Sequence, residues 1–148
     1  MHTLQKHLPM AVPCEVDNLL NYLVSEGFPA QSDADGDLVF KSEGLDYALC
    51  FDKDDRHFAK VILPNVWQIN DQAELNQALL MLDNVNRKLK VVKGYTVKDT
   101  IWFAVEVFQT DQTQLIVFIK RIIRLLAHAA RIFAAGMEFG SEQPMVVA

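Results

Sequence analysis

Between Asp111 and Glu138 the chain is strongly apolar yet confines its charges to one side. At about 100° per residue, Leu115, Ile119, Ile122, Leu126, Phe133 and Met137 share one arc, and Lys120, Arg121, Arg124, His128 and Arg131 lie opposite. This pattern predicts a long amphipathic helix. A membrane span needs about 20 mostly uncharged apolar residues, and the basic and imidazole side chains of 120–131 make insertion costly. The helix must therefore cap a core, pair with a partner or lie on a surface.

Upstream, Val16, Leu19, Leu20, Leu23 and Val24 recur at helical spacing, forming one face of a first helix that Gly27 can close in a left-handed conformation. From Phe28 to Pro64 the period falls to two. Leu38 and Phe40, then Leu45, Tyr47, Leu49 and Phe51, then His57, Ala59, Val61 and Leu63 mark three strands. Asp35-Gly36, Ser42-Glu43-Gly44 and Asp52-Lys53-Asp54-Asp55 supply the reversals, so a sequential antiparallel meander is expected.

A second helix is expected from Asp71, where Asp71 and Glu74 have capping-box spacing, to about Lys90, with Arg87, Lys88 and Lys90 at its negative dipole end. Its predicted buried face is Leu75, Ala78, Leu79, Leu82, Val85 and Leu89. Strands follow at about Val91–Val97 and Thr100–Gln109. In the latter, Ile101, Phe103, Val105 and Val107 alternate with Trp102, Ala104, Glu106 and Phe108; apolar on both sides as far as Glu106, it reads as central and covered on both faces.

The element order is α-β-β-β-α-β-β-α, with an extra strand possible at Phe28–Gln31. Runs of strands interrupted by helices, rather than strict βαβ alternation, indicate an α+β fold with helices packed on an antiparallel sheet. A chain of 148 residues is the usual size of one domain, expected here over 1–148 with loose ends at 1–12 and 140–148.

The 51% hydrophobic and 22% charged content indicates a folded, soluble domain rather than a disordered chain. A net charge of -5 disfavours nucleic acid, whose phosphates call for a concentrated Lys/Arg footprint. Cys14 and Cys50 are far apart and lack CxxC or metal spacing, so they read as reduced thiols. Met1–Val12 holds no apolar stretch ending in a cleavage site. A cytoplasmic protein is expected.

The stretch from Leu75-Asn76 to Val85-Asn86-Arg87, then Val91-Val92-Lys93-Gly94, then the apolar strand from Ile101, resembles the YbjN family of bacterial proteins and the class I type III secretion chaperones. A weaker likeness lies in Leu20–Gly27. The resemblance implies a secretion-chaperone-like fold and a homodimer that binds another protein, without catalysis. The last helix, apolar with a basic face, departs from the acidic terminus typical of such chaperones.

Few other constellations point to chemistry. Asp33-Ala34-Asp35-Gly36-Asp37 has the alternating carboxylates of a calcium loop, but glycine arrives at position four and Gly44 stands at position twelve, where a bidentate Glu is needed; a solvated hairpin turn fits better. Residues 33–56 hold eight acids against Lys41, Lys53 and Arg56, a face that is either solvated or attractive to a basic partner. Helical geometry places Asn86 between Leu79, Leu82 and Leu89, where a buried amide must be hydrogen-bonded; tying the helix to a neighbouring backbone is its expected role, ligand contact the alternative. His2, His7, His57 and His128 show no metal spacing, and no nucleophile or phosphate-loop motif occurs. Neither cofactor nor metal is expected.

The expected function is non-catalytic protein binding of the chaperone or adaptor kind by a homodimer, with Trp67, Trp102, Phe108, Arg121, Arg124 and Arg131 as candidate partner-binding residues. The basic face of the last helix is either solvated or a partner surface, with membrane-surface binding a lesser alternative. The rival is a small-molecule-binding or enzymatic domain whose pocket is lined by Trp67, Tyr47 and Trp102. Trp67, after Pro64-Asn65-Val66 on the link into the second helix, would line a groove or plug the core beneath that link.

Overall fold

The computed structural model describes residues 16–110 and 112–139. Cys14, His2, His7, the ends expected at 1–12 and 140–148, and the helix start expected at Asp111 lie outside them. The described chain runs α1 (16–25), β1 (Ala30–Ser32), β2 (Leu38–Ser42), β3 (Leu45–Phe51), β4 (Phe58–Gln68), α2 (Gln72–Lys88), β5 (Val92–Val97), β6 (Thr100–Phe108) and α3 (Gln112–Phe139). One antiparallel six-stranded sheet has the order β1-β2-β3-β4-β6-β5. It is the expected α+β fold with the expected element order.

Strand alternation separates the two faces. Leu38, Phe40, Tyr47, Leu49, Val61, Ile101, Phe103 and Val105 point to one side and form a single core with Leu19 and Leu23 of α1, Ala78, Leu82 and Val85 of α2, and Ile119, Leu126 and Phe133 of α3. Among the described residues no helix packs on the other face. Cover on both faces of β6 is therefore corrected: Ala104 is buried, but between its cross-strand neighbours Ile62 and Lys93, while Phe108 is 84% exposed. A small side chain between larger neighbours loses its solvent without a second layer.

Helix ends follow local chemistry. Gly27, at φ +89°, closes α1 with Gly27 N–H donating to Val24 O and Phe28 N–H to Leu23 O, the paired bonds of a Schellman motif. Val24, placed on the buried face by periodicity, is exposed at this last turn. Asp71 caps α2 by accepting the Glu74 N–H at 2.8 Å. The Glu74 carboxylate reaches back not to Asp71 but to the Asn70 N–H and the Trp67 indole.

The buried face of α2 also differs from expectation. Leu79 is 48% exposed and Met81 is buried in its place. The cause lies on α3, where Gly136 leaves no room for a Cβ beside the Met81 thioether, so the helices approach closely there. Gln77 fastens this crossing by donating to Gly136 O and Met137 O. Asn86, expected in the core, stands on the exposed side of α2.

The segment Pro64-Asn65-Val66-Trp67 belongs to β4 rather than to a link, and His57 precedes that strand. A register shift between Leu63 and Trp67, with Asn65 at φ +54°, bends the strand and turns Trp67 toward the helices.

Candidate functional site

One concavity arises from unequal strand lengths. β4 accompanies β6 to the pair Phe58–Phe108, but β5 stops at Val92, opposite Val105. The last three residues of β6 thus have no strand on that side. There the chain enters β5 through a three-residue turn in which Val92 N–H donates to Lys90 O and Val91 sits at φ +56°. A β-branched residue at positive φ is strained, and Val91 is also 63% exposed.

The space left beside β6 is a groove of about 490 Å³ between the strand end and α3. Val105 and Val107 with Leu115, Ile122 and Leu125 supply apolar walls; Val91 and Phe118 stand at the rim, beside Lys90 and Arg121, and Phe108, whose ring packs edge-on against Phe58 on the other side of the sheet, borders the groove at the strand end. Strand alternation turns Gln109 to the same side as Val105 and Val107. The residue is 5% exposed, and its Oε1 has no hydrogen-bond partner among the described residues.

A second furrow of about 390 Å³, lined by Arg121, Arg124, Leu125, His128 and Arg131, continues from the first through the shared Arg121 and Leu125. Together they make one continuous trough along α3, walled by β6 and α3 and apolar at its N-terminal half, and beyond it an open basic flank of α3 alone. Arg121, Arg124 and Arg131 are exposed and make no ion pair among the described residues, whereas Lys120 on the neighbouring flank pairs with Glu26 of α1 at 2.6 Å. The guanidiniums are thus available to an external anion.

Of the candidate partner-binding residues, the trough unites Phe108, Arg121, Arg124 and Arg131 and leaves out the two tryptophans. Trp67 packs edge-on against Phe133 of α3, ring centroids 6.0 Å apart, and donates its indole N–H to Glu74. Trp102 lies on the helix-free face, its indole N–H shared between Asn65 Oδ1 and Thr100 Oγ1. Because Trp67 opposes Ile101, the neighbour of Trp102, the two rings project to opposite faces of the sheet. The expected pocket of Trp67, Tyr47 and Trp102 is therefore corrected. Tyr47 stacks on Phe40 and donates to Ile123 O. Tyr47 also borders a concavity of about 650 Å³ beneath β1, β2 and β3 whose charges, Lys41 and Asp46, pair with each other.

The remaining polar candidates have structural partners. Asn86 exchanges two hydrogen bonds with the Gly94 backbone, donating to its oxygen at 3.2 Å and accepting its N–H at 2.8 Å. Asp33 accepts the N–H groups of Asp35 and Asp37, as a turn carboxylate does. Among the described residues no three His, Cys, Asp or Glu side chains gather into a metal-binding group. The Cys50 thiol is pushed up to about 11, first by burial and then by Asp37, so at neutral pH it is protonated and a poor nucleophile.

Sequence reasoning missed Val91, Gln109, Phe118 and Leu125. Phe118 and Leu125, seven residues apart on the flank between the apolar arc and the basic one, carried a readable signal. Gln109 looked only like the end of a strand. No helix among the described residues is long and apolar enough to cross a membrane. Comparison with protein-family models, curated proteins and solved structures returned no match.

Proposed function

We propose that the chain is a non-catalytic protein-binding domain of the chaperone or adaptor kind, acting as a homodimer on another polypeptide. The observation that carries this reading is the trough along α3, where exposed Phe108, Phe118 and Val91 border an apolar groove that runs into three guanidiniums without carboxylate partners among the described residues. Exposed apolar rims beside such a groove suit a macromolecular surface. The helix-free sheet face, with Val39, Ala48, Ile62 and Ala104 in one cross-strand row and Trp102 beside it, is the natural place for self-association. The likeness to secretion chaperones points the same way.

Capture on the immobilised protein from lysate of its source cells, with identification by mass spectrometry, tests the reading. One polypeptide in stoichiometric amount is expected, absent from a Phe118→Ser/Arg121→Glu variant that melts like the parent. Recovery unchanged by that variant, or an empty capture, removes the support. Light scattering is expected to give about twice the 16.8 kDa chain mass; a monomer at all concentrations excludes the dimer.

A further inference from the structure

Resting on the protein-binding reading above, we propose that the trough seats an acidic amphipathic α-helix of the partner, its apolar residues in the groove beside Phe118 and Leu125 and its carboxylates facing Arg121, Arg124 and Arg131. Charge complementarity selects the occupant. The chain carries a net charge of -5, yet one flank of α3 presents Arg121, Arg124 and Arg131 with no carboxylate on them among the described residues, at spacings of three and seven that repeat along one helix face. A neighbouring helix with Glu or Asp at similar spacing meets all three, and guanidinium–carboxylate pairs are charge-assisted and often bidentate, roughly twice as strong as neutral hydrogen bonds.

Shape selects a helix over a strand. From Gln114 to Arg131 the trough follows α3 for roughly 26 Å at 1.5 Å per residue, the length of a partner helix of about 17 residues. Strand addition finds little purchase. On the β5 edge the outward N–H and C=O of Gly94 are both taken by Asn86; β1, on the opposite edge, has three residues; and the unpaired end of β6 is equally short. The apolar end of the trough precedes its basic end along α3, so the occupant carries its largest apolar residues toward one terminus. Binding that depends on three charge pairs weakens as salt rises.

Two labelled 18-residue peptides test the proposal on the full chain by fluorescence anisotropy. Both carry Leu and Phe at i, i+3, i+4 and i+7; one bears Glu along the flank and the other Lys. The Glu peptide is expected to bind with micromolar affinity, to gain helical circular dichroism when bound, and to bind at least about tenfold more tightly than the Lys peptide. An Arg121→Glu/Arg124→Glu/Arg131→Glu variant that melts like the parent is expected to lose this preference. Equal binding of both peptides, or none by the Glu peptide, overturns the inference. So does preferential binding to phosphatidylglycerol vesicles, which makes the occupant a membrane, or self-association abolished by the triple variant, which makes it a second copy. If neither peptide binds while lysate capture is still lost in the groove variant, protein binding stands and the acidic helix falls.

Discussion

The side-chain amide of Asn86 grips both backbone polar groups of Gly94, donating to the oxygen and accepting from the N–H. Since Gly94 faces Phe103 across the sheet and both of these groups go to Asn86, they point away from β6 and toward the open edge. Asn86 thereby takes the place of a further strand, and it fixes α2 to β5. Asn86→Ala is expected to lower stability by about 1 kcal/mol, the side chain being exposed enough for water to replace it in part. Thermal melting should fall by a few degrees. Asn86→Asp, which keeps the acceptor but sets a carboxylate oxygen against the Gly94 oxygen, should melt no higher than Asn86→Ala; melting of either variant equal to the parent would show that the pair contributes nothing.

Gly94 itself answers to a different constraint. A Cβ there would lie 2.5 Å from Phe103 Cε1 and 2.7 Å from Leu82 Cδ2, both of them buried and neither at the free end of a long flexible chain. Gly94→Ala is expected to cost about 1–3 kcal/mol through overpacking between α2 and the sheet. Chemical denaturation measures it: an unchanged midpoint would mean that α2 stands farther from β5 than this contact requires.

The elements were legible because burial is one-sided and periodicity records it: the arc of Leu115, Ile119, Ile122, Leu126, Phe133 and Met137 is buried throughout. What eluded sequence reasoning depends on distant residues. Leu79 and Met81 both satisfy a helical stripe, and the choice between them is made by Gly136 on another helix. Period-two reading stopped β4 at Pro64, since a bulge around Asn65 breaks the alternation that would have extended the strand to Trp67. Arg121, Arg124, Arg131 and Phe108 could be singled out from pattern and charge. The unequal lengths of the last two strands were legible as well, in Val91–Val97 against Thr100–Gln109, but the groove was not, because it needs α3 laid beside the bare end of β6 and the strained turn at Val91, and no local pattern places a distant helix there.

Cys50 gives a pH dependence of definite sign. Its folded pKa, about 11 against an ordinary 9, is raised by burial and by Asp37. Below pH 9 the folded and unfolded thiols are both protonated and this group leaves stability unchanged; between 9 and 11 only the unfolded chain ionises, so stability falls. In a Cys14→Ser background, Cys50→Ser should flatten the decline over this interval, leaving a slope from Tyr47 and Tyr95, both raised by burial. At pH 8 the reaction of Cys50 with an aromatic disulfide should run at least about tenfold slower than that of free cysteine. Reaction at the free-cysteine rate would place the thiol in solvent.

The two sides of α3 separate folding from the proposed binding. Ile122 is buried on the arc that meets the sheet, so Ile122→Asp places a carboxylate among apolar groups. An unpaired charge there costs several kcal/mol, a large share of the roughly 5–15 kcal/mol that holds a domain together. Unfolding or aggregation is expected. Arg124 and Arg131 stand exposed, so Arg124→Glu/Arg131→Glu should melt within about 1–2 °C of the parent, because surface substitutions away from packing change stability by roughly 0.5 kcal/mol or less. Circular dichroism melting of both variants is the check. Cooperative melting of Ile122→Asp at the parent temperature would contradict the packing of α3 on the sheet, and collapse of the double variant would make the basic flank part of the fold rather than a surface kept open for a partner.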